Sequence, residues 1–222
     1  MGIDFFGVPI LITNFNRLGC FQKQIEWLLK AGYYNIHVND NCSSYQPLLE
    51  YYEHLKSLGI TVHIHNANHG YTGFVHYPLF NQFQSSYFVT TDPDVVPTDK
   101  TPNNLIQVLF EVMQKHNASK CGVALQIDDL PDHNPRKQEI IDWESVFWAR
   151  QIDENCYLGE IDTTFALNAP NTSGGYGSAI RVAGDYTCKH TTWYLDPNNL
   201  PPDEAYYISV LDKGSSYWSS KI

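Results

Sequence analysis

The stretch Tyr87-Phe88-Val89-Thr90-Thr91-Asp92-Pro93-Asp94-Val95-Val96-Pro97 decides the fold, because a short apolar run stops abruptly at two carboxylates separated by one residue. The run reads as a buried strand over 87–91 that delivers acid to its carboxyl end. In an open α/β sheet, ligands sit beyond the carboxyl ends of the strands, which places Asp92 and Asp94 at a binding cleft. Hard divalent cations prefer oxygen ligands, and Mg2+ or Mn2+ takes one or two carboxylates while phosphates fill other positions. The pair therefore suits a metal-bound diphosphate. The plainer alternative is that Asp-Pro-Asp is only a turn, since Pro presets φ and Asp favours turns.

On either side of this strand, helical and strand periodicities alternate. Residues 8–15 are β-rich, and Leu18, Phe21, Ile25, Leu28 and Leu29 then recur at helical spacing until Gly32. A second strand over 35–39, a helix over 47–58, a third strand over 61–65 and a polar loop over 66–73 with a short helix after it complete the first half. Beyond the acidic strand, Leu105, Ile106, Leu109, Val112 and Met113 mark another helix, and 120–127 another strand. This alternation predicts an α/β fold, a Rossmann-like domain whose central sheet is mostly parallel and flanked by helices. After Asp128 the pattern weakens: 128–136 reads as loop, 138–148 as helix, 161–168 as one strand and 202–211 as a short helix. The division expected is a nucleotide half over 1–100 and a less regular acceptor half over 101–222, folded as one unit.

Composition excludes several classes. The 222 residues are 43% hydrophobic and 17% charged with no low-complexity tract, so the chain reads as globular throughout. A formal net charge of -10 argues against a nucleic-acid groove, which needs clustered Lys and Arg. Cys20, Cys42, Cys121, Cys156 and Cys188 form no Cys-x-x-Cys pair and suit a reducing compartment. No basic region precedes an apolar signal core, and no run of about 18 apolar residues offers a transmembrane segment. The expected location is cytoplasmic, with docking to a membrane surface left open. Ser219-Ser220-Lys221-Ile222 does not read as a natural end, so a longer parent chain is also left open.

Seven stretches together resemble glycosyltransferases of the GT-A type, particularly small family-2-like enzymes of surface polysaccharide or viral and bacterial glycan synthesis. They are Pro9-Ile10-Leu11-Ile12-Thr13-Asn14-Phe15-Asn16-Arg17, Val38-Asn39-Asp40-Asn41-Cys42-Ser43-Ser44 and Thr91-Asp92-Pro93-Asp94. Further along stand Ile127-Asp128-Asp129-Leu130-Pro131-Asp132-His133, Trp143-Glu144-x-x-Phe147-Trp148, Ile161-Asp162-Thr163-Thr164-Phe165 and His190-Thr191-Thr192-Trp193-Tyr194. They span nearly the whole chain in the expected order. The resemblance implies transfer of a hexosyl or deoxyhexosyl group from a nucleoside-diphosphate sugar, UDP favoured, to a carbohydrate hydroxyl, with Mn2+ or Mg2+ as cofactor. A sugar nucleotidyltransferase is the alternative within α/β enzymes, although the segment after the first strand lacks its glycine-rich phosphate loop. A noncatalytic carbohydrate-binding module is the other, consistent with 15 Tyr and five Trp.

Candidate residues follow from both readings. Thr13 and Asn14 end the first strand, where short polar groups can read a base or ribose edge, and Arg17 follows. Asp40 ends the second strand, where a carboxylate can accept from a uracil imide or ribose hydroxyl. Asn68 in the polar loop is a nucleotide candidate by resemblance, whereas His63 and His65 read as strand-surface residues. The resemblance assigns the metal mainly to Asp94, with Asp92 on ribose or a metal-bound water and His190 as a further ligand. On the acceptor side, transfer needs a general base or a group that stabilises an oxocarbenium-like centre. Asp162 ranks first, then Glu144 and Asp129. Trp143, Phe147 and Trp148 bracket Glu144 and could present faces to sugar rings.

Overall fold

Residues 2–211 are described by a computed structural model, and Ser219-Ser220-Lys221-Ile222 lies outside them. The first half is a chain of β-α-β units: β1 (Ile10–Asn14), α1 (Gly19–Ala31), β2 (Ile36–Asp40), α2 (Gln46–Ser57) and β3 (Thr61–Ile64). β1 pairs in parallel with β2, and β2 with β3. The apolar positions of α1 are those its 3.6-residue period predicts, with Phe21, Ile25 and Leu28 fully buried against the sheet. Gly32 ends that helix at φ 98°, a left-handed conformation that glycine adopts without steric cost.

A 3₁₀ turn over Gly70–His76 and the short α3 (Phe80–Phe83) lead into β4 (Phe88–Thr91) and β5 (Val95–Pro97). Then follow α4 (Leu105–Lys115), β6 (Lys120–Val123), α5 (Lys137–Ser145), β7 (Gln151–Asp153) and β8 (Cys156–Ile161). The last elements are β9 (Ala166–Asn168), β10 (Gly177–Val182), β11 (Cys188–His190) and α6 (Pro202–Val210). The central sheet has nine strands in the order β3-β2-β1-β4-β9-β6-β10-β8-β7, and β5 pairs separately with β11. Seen along the sheet, β9 and β8 run against the direction of the other strands, which keeps the sheet mostly parallel.

The strands nearest β1 are buried on both faces, as parallel strands under helices must be. On one face Ile10, Ile12, Val38 and Val89 join Phe21, Leu28 and Tyr52 in the main core. On the other, Leu11 and Phe88 meet Phe74, Tyr77, Phe80 and Phe83. Among the described residues no helix is long and apolar enough to cross a membrane.

The second half departs from the sequence reading in two places. The stretch expected as one strand over 161–168 is two. Ile161 closes β8, the chain turns through 162–165 with Phe165 at φ 28°, and Ala166 opens β9. These strands part company because β8 pairs with β7 and β10, while β9 inserts antiparallel between β4 and β6. The strand expected over 120–127 ends at Val123, and Leu125 makes only an isolated bridge to Cys188. The short pieces β7, β10 and β11 have no clear periodicity of their own and are held by pairing with distant segments.

Candidate active site

The carboxyl ends of the adjacent strands β1 and β4 open onto a cleft of about 640 Å³, within the range of about 300–1,000 Å³ that takes a small ligand. From β1 come Thr13 and Asn14, and from the loop after β4 come Asp92 and Asp94. Thr13 Oγ1 and Asn14 Oδ1 are buried without a hydrogen-bond partner among the described residues. Both residues line the cleft.

Asp94 sits in a dense polar cluster. Its Oδ2 accepts from Arg17 Nη1 at 2.8 Å and from the Thr192 hydroxyl at 3.2 Å, and His190 Nε2 lies 3.6 Å away. The topology explains this company: β5 begins directly after Asp94 and pairs antiparallel with β11, setting His190 opposite Val95. Burial opposes ionisation of Asp94, but His190, Arg17 and the Thr192 hydroxyl outweigh it and hold the carboxyl below its ordinary range. For Asp92 burial wins, reinforced by the negative charges of Asp162 and Asp94, and its pKa is pushed well above the ordinary value. Two neighbouring carboxylates are thus driven apart, the pattern by which sites divide acid and base roles.

Asp92 is fixed from two sides. Its backbone N–H donates to the Thr163 carbonyl at 2.9 Å, and the Thr163 hydroxyl donates to its Oδ2 at 2.6 Å, so the 162–165 turn is tied to the acidic loop. From beneath, buried Gln24 on α1 donates to the carbonyls of Asp92 at 2.8 Å and Val95 at 2.7 Å. Arg17 is also ion-paired with Glu204 and lies 4.1 Å over the Tyr207 ring, while Asp203 caps α1 through the N–H groups of Leu18 and Gly19. Helix α6 therefore closes one side of the cleft.

The acceptor-side carboxylates fall in different settings. Asp162 is exposed, lines the cleft and accepts from the Thr164 hydroxyl at 2.7 Å. It occupies a turn instead of the start of a strand. Glu144 also lines the cleft but is buried in an ion pair with Arg181, whose guanidinium covers Phe147 at 4.0 Å. Burial pushes the Glu144 pKa up to about 7, with Arg181 opposing the rise. Asp129 does not line the cleft; Lys189 and the Tyr194 hydroxyl both bond it, and it stays below the ordinary carboxylate range despite some burial. Asp40 is likewise outside the lining, fully buried, with Oδ1 taken by the Ser43 N–H and Oδ2 by the Tyr52 hydroxyl. Asn14 Nδ2 in turn donates to the Tyr52 oxygen at 3.1 Å, so Asp40 reaches the cleft through Tyr52 and Asn14. Asn68 lines the cleft, and its Oδ1 accepts from the Gly70 N–H. His63 and His65 pack against each other at 4.6 Å, away from the lining.

Two cations escaped the sequence reading. Arg181 interrupts the apolar run Ala179-Ile180-Arg181-Val182, and a lone cation there signals a buried carboxylate partner. Lys120 opens β6, is 5% exposed, and its Nζ donates to the carbonyls of Ile161, Asp162, Gly174 and Gly175. It clamps the turn that bears Asp162.

Asp92 and Asp94 both line the cleft and present the oxygen ligands that a hard divalent cation prefers, with Asp94 Oδ2 already held by Arg17. Among the described residues no three His, Cys, Asp or Glu side chains could hold an ion between them.

No family model and no curated protein matches the chain. Among solved structures, S. aureus TarS 1-349 is similar over 54% of this chain and 35% of that one, at 13% identity and a TM-score of 0.39. A second S. aureus TarS structure is similar over 54% of this chain and 21% of that one, at 12% identity and a TM-score of 0.39. The matched part thus spans well under half the length of either.

Proposed function

We propose that this chain is a metal-dependent glycosyltransferase domain of the GT-A type that moves a sugar from a nucleoside-diphosphate sugar, UDP favoured, to a glycan hydroxyl. The observation that carries the reading is the convergence of orphaned Thr13 Oγ1 and Asn14 Oδ1 with the acidic pair Asp92 and Asp94 at one end of β1 and β4. Thr13, Asn14 and Asn68 would contact the nucleoside, with Asp40 holding Asn14 through Tyr52. Asp92 and Asp94, with His190 beside them, would hold Mn2+ or Mg2+. A cation bound there supplies stabilisation of the charge that grows on the leaving diphosphate. Arg17, paired with Asp94 and Glu204, lies within the same cluster and balances its negative charge. Asp162 is the base candidate, because Glu144 is committed to Arg181 and Asp129 lies outside the cleft.

Calorimetric titration with UDP-, GDP- and dTDP-sugars, first with manganese and then with the metal chelated, tests this reading. Binding of one donor class only with metal, lost in Asp94→Asn while the fold persists, is the expected result. No binding to any donor overturns it and favours a noncatalytic carbohydrate-binding module.

A further inference from the structure

Three large aromatic side chains line the cleft while staying open to water: Tyr71 is 88% exposed, Trp143 52% and Tyr176 59%. They come from separate segments, the 3₁₀ turn Gly70–His76, helix α5 and the approach to β10. Single exposed apolar residues need no explanation, but three rings brought from distant segments to one cleft mark a recognition surface.

The other aromatics near this end are already committed. Arg181 covers a face of Phe147, His190 stacks on Trp193 at 4.4 Å and 12°, and Trp148 packs against Tyr157. Tyr71 and Tyr176 have no ring partner among the described residues, and Trp143 makes one edge contact, with Phe147 at 5.9 Å. Tyr176 is tethered through its hydroxyl to Glu160, which holds its ring in place.

Charge narrows the occupant. The two guanidinium groups of the lining are engaged within the protein, Arg17 with Asp94 and Glu204, Arg181 with Glu144. Asp162 adds an exposed carboxylate, and the whole chain carries -10. With both guanidinium groups already paired, the lining offers an anionic glycan acceptor no spare guanidinium among the described residues. A neutral sugar offers what the lining can use: C–H bonds, weakly positive, for the negative faces of aromatic rings, and hydroxyl donors for Asp162. Pyranoses with equatorial substituents suit best, because both of their faces stay flat and apolar.

We propose that the mouth of the cleft is an acceptor subsite for an uncharged glycan of gluco-type pyranoses, stacked on Tyr71, Trp143 and Tyr176. This identification of the acceptor rests on the sugar-transfer reading of the cleft, but glycan binding can be measured without transfer.

The test is titration of the protein with cellohexaose and chitohexaose, and with hexagalacturonate as the anionic counterpart, followed by calorimetry and tryptophan fluorescence. At least one neutral hexamer is expected to bind more tightly than hexagalacturonate. Trp143→Ala is expected to weaken that binding about tenfold, as loss of an aromatic anchor does, and Trp143→Phe to restore most of it. Tyr71→Ala and Tyr176→Ala are each expected to weaken it about threefold or more. Circular dichroism of each variant checks that the fold persists. Failure of both neutral hexamers to bind, preference for hexagalacturonate, or wild-type affinity in all three alanine variants overturns the subsite. A parallel UDP titration with manganese separates the claims: donor binding without glycan binding removes only the subsite, and glycan binding without donor binding removes only the transfer reading.

Discussion

Arg17 Nη1 donates to Asp94 Oδ2 at 2.8 Å, joining the segment after β1 to the acidic loop after β4 across 77 positions of sequence. Both side chains are nearly sealed from water, at 10% and 3% exposure. A buried ion pair adds little net stability, yet removing one partner strands the other charge. Arg17→Met, which abandons Asp94 and Glu204 together, is expected to cost about 3 kcal/mol in urea unfolding. Adding Asp94→Asn to that variant should recover part of the loss. Strict additivity of the two changes would show that the pair is not coupled.

The Glu144–Arg181 pair gives a pH-dependent prediction. With its partner replaced in Arg181→Met, the buried Glu144 loses the one charge that opposes its burial, and its pKa rises beyond about 7. The folded state then holds a proton that the unfolded chain, with an ordinary Glu near 4.3, releases first. Stability is therefore present at low pH and lost as pH rises through neutrality. Melting Arg181→Met and wild type from pH 5 to pH 8 should show a gap that widens with pH. A constant gap would assign the loss to packing over Phe147 alone.

Histidines act in the opposite range. Burial lowers the pKa of His37 to about 4, its ring nitrogens bonded to the Tyr77 hydroxyl and Asn35. Burial also lowers His65 to about 4, helped by His63, His69 and His76. The unfolded rings take up protons near pH 6.5 that the folded rings refuse until about 4, so stability falls as pH drops through that window. Thermal unfolding of His37→Gln across the same range should show a shallower acid slope than wild type; an identical slope would remove His37 as a contributor.

Lys120→Met keeps the aliphatic stem and deletes the ammonium, leaving the carbonyls of Ile161, Asp162, Gly174 and Gly175 without their shared donor. An expected cost of about 2–4 kcal/mol follows from unsatisfied buried polar groups. Because Asp162 sits on the clamped turn, the proposed transfer should fall further than donor affinity does. Equal loss of kcat and of donor binding would reduce Lys120 to a purely structural part.

Much of the first half is legible in the sequence because its signals are local. The 3.6-residue spacing from Leu18 to Leu29, the glycine stop at Gly32 and the strand ending in Asp92-Pro93-Asp94 each act over a few neighbours, and the tertiary fold agrees with them. The second half is less legible. Residues 161–168 look like one apolar strand, and only competition between β4, β6 and β10 for edges breaks the run at Asp162. Glu144 and Asp129 look equally available in the sequence, whereas one is buried against Arg181 and the other bonded by Lys189 and Tyr194.

The α/β alternation and the placing of carboxylates at a strand end were written in the chain itself, because period and turn chemistry need no partner. Which carboxylates face the cleft, which cation neutralises each, and which aromatics remain open to a ligand were decided by tertiary structure. Those outcomes depend on pairings such as Arg17 with Asp94 and β5 with β11, and chain closure over such distances leaves no mark in a local window.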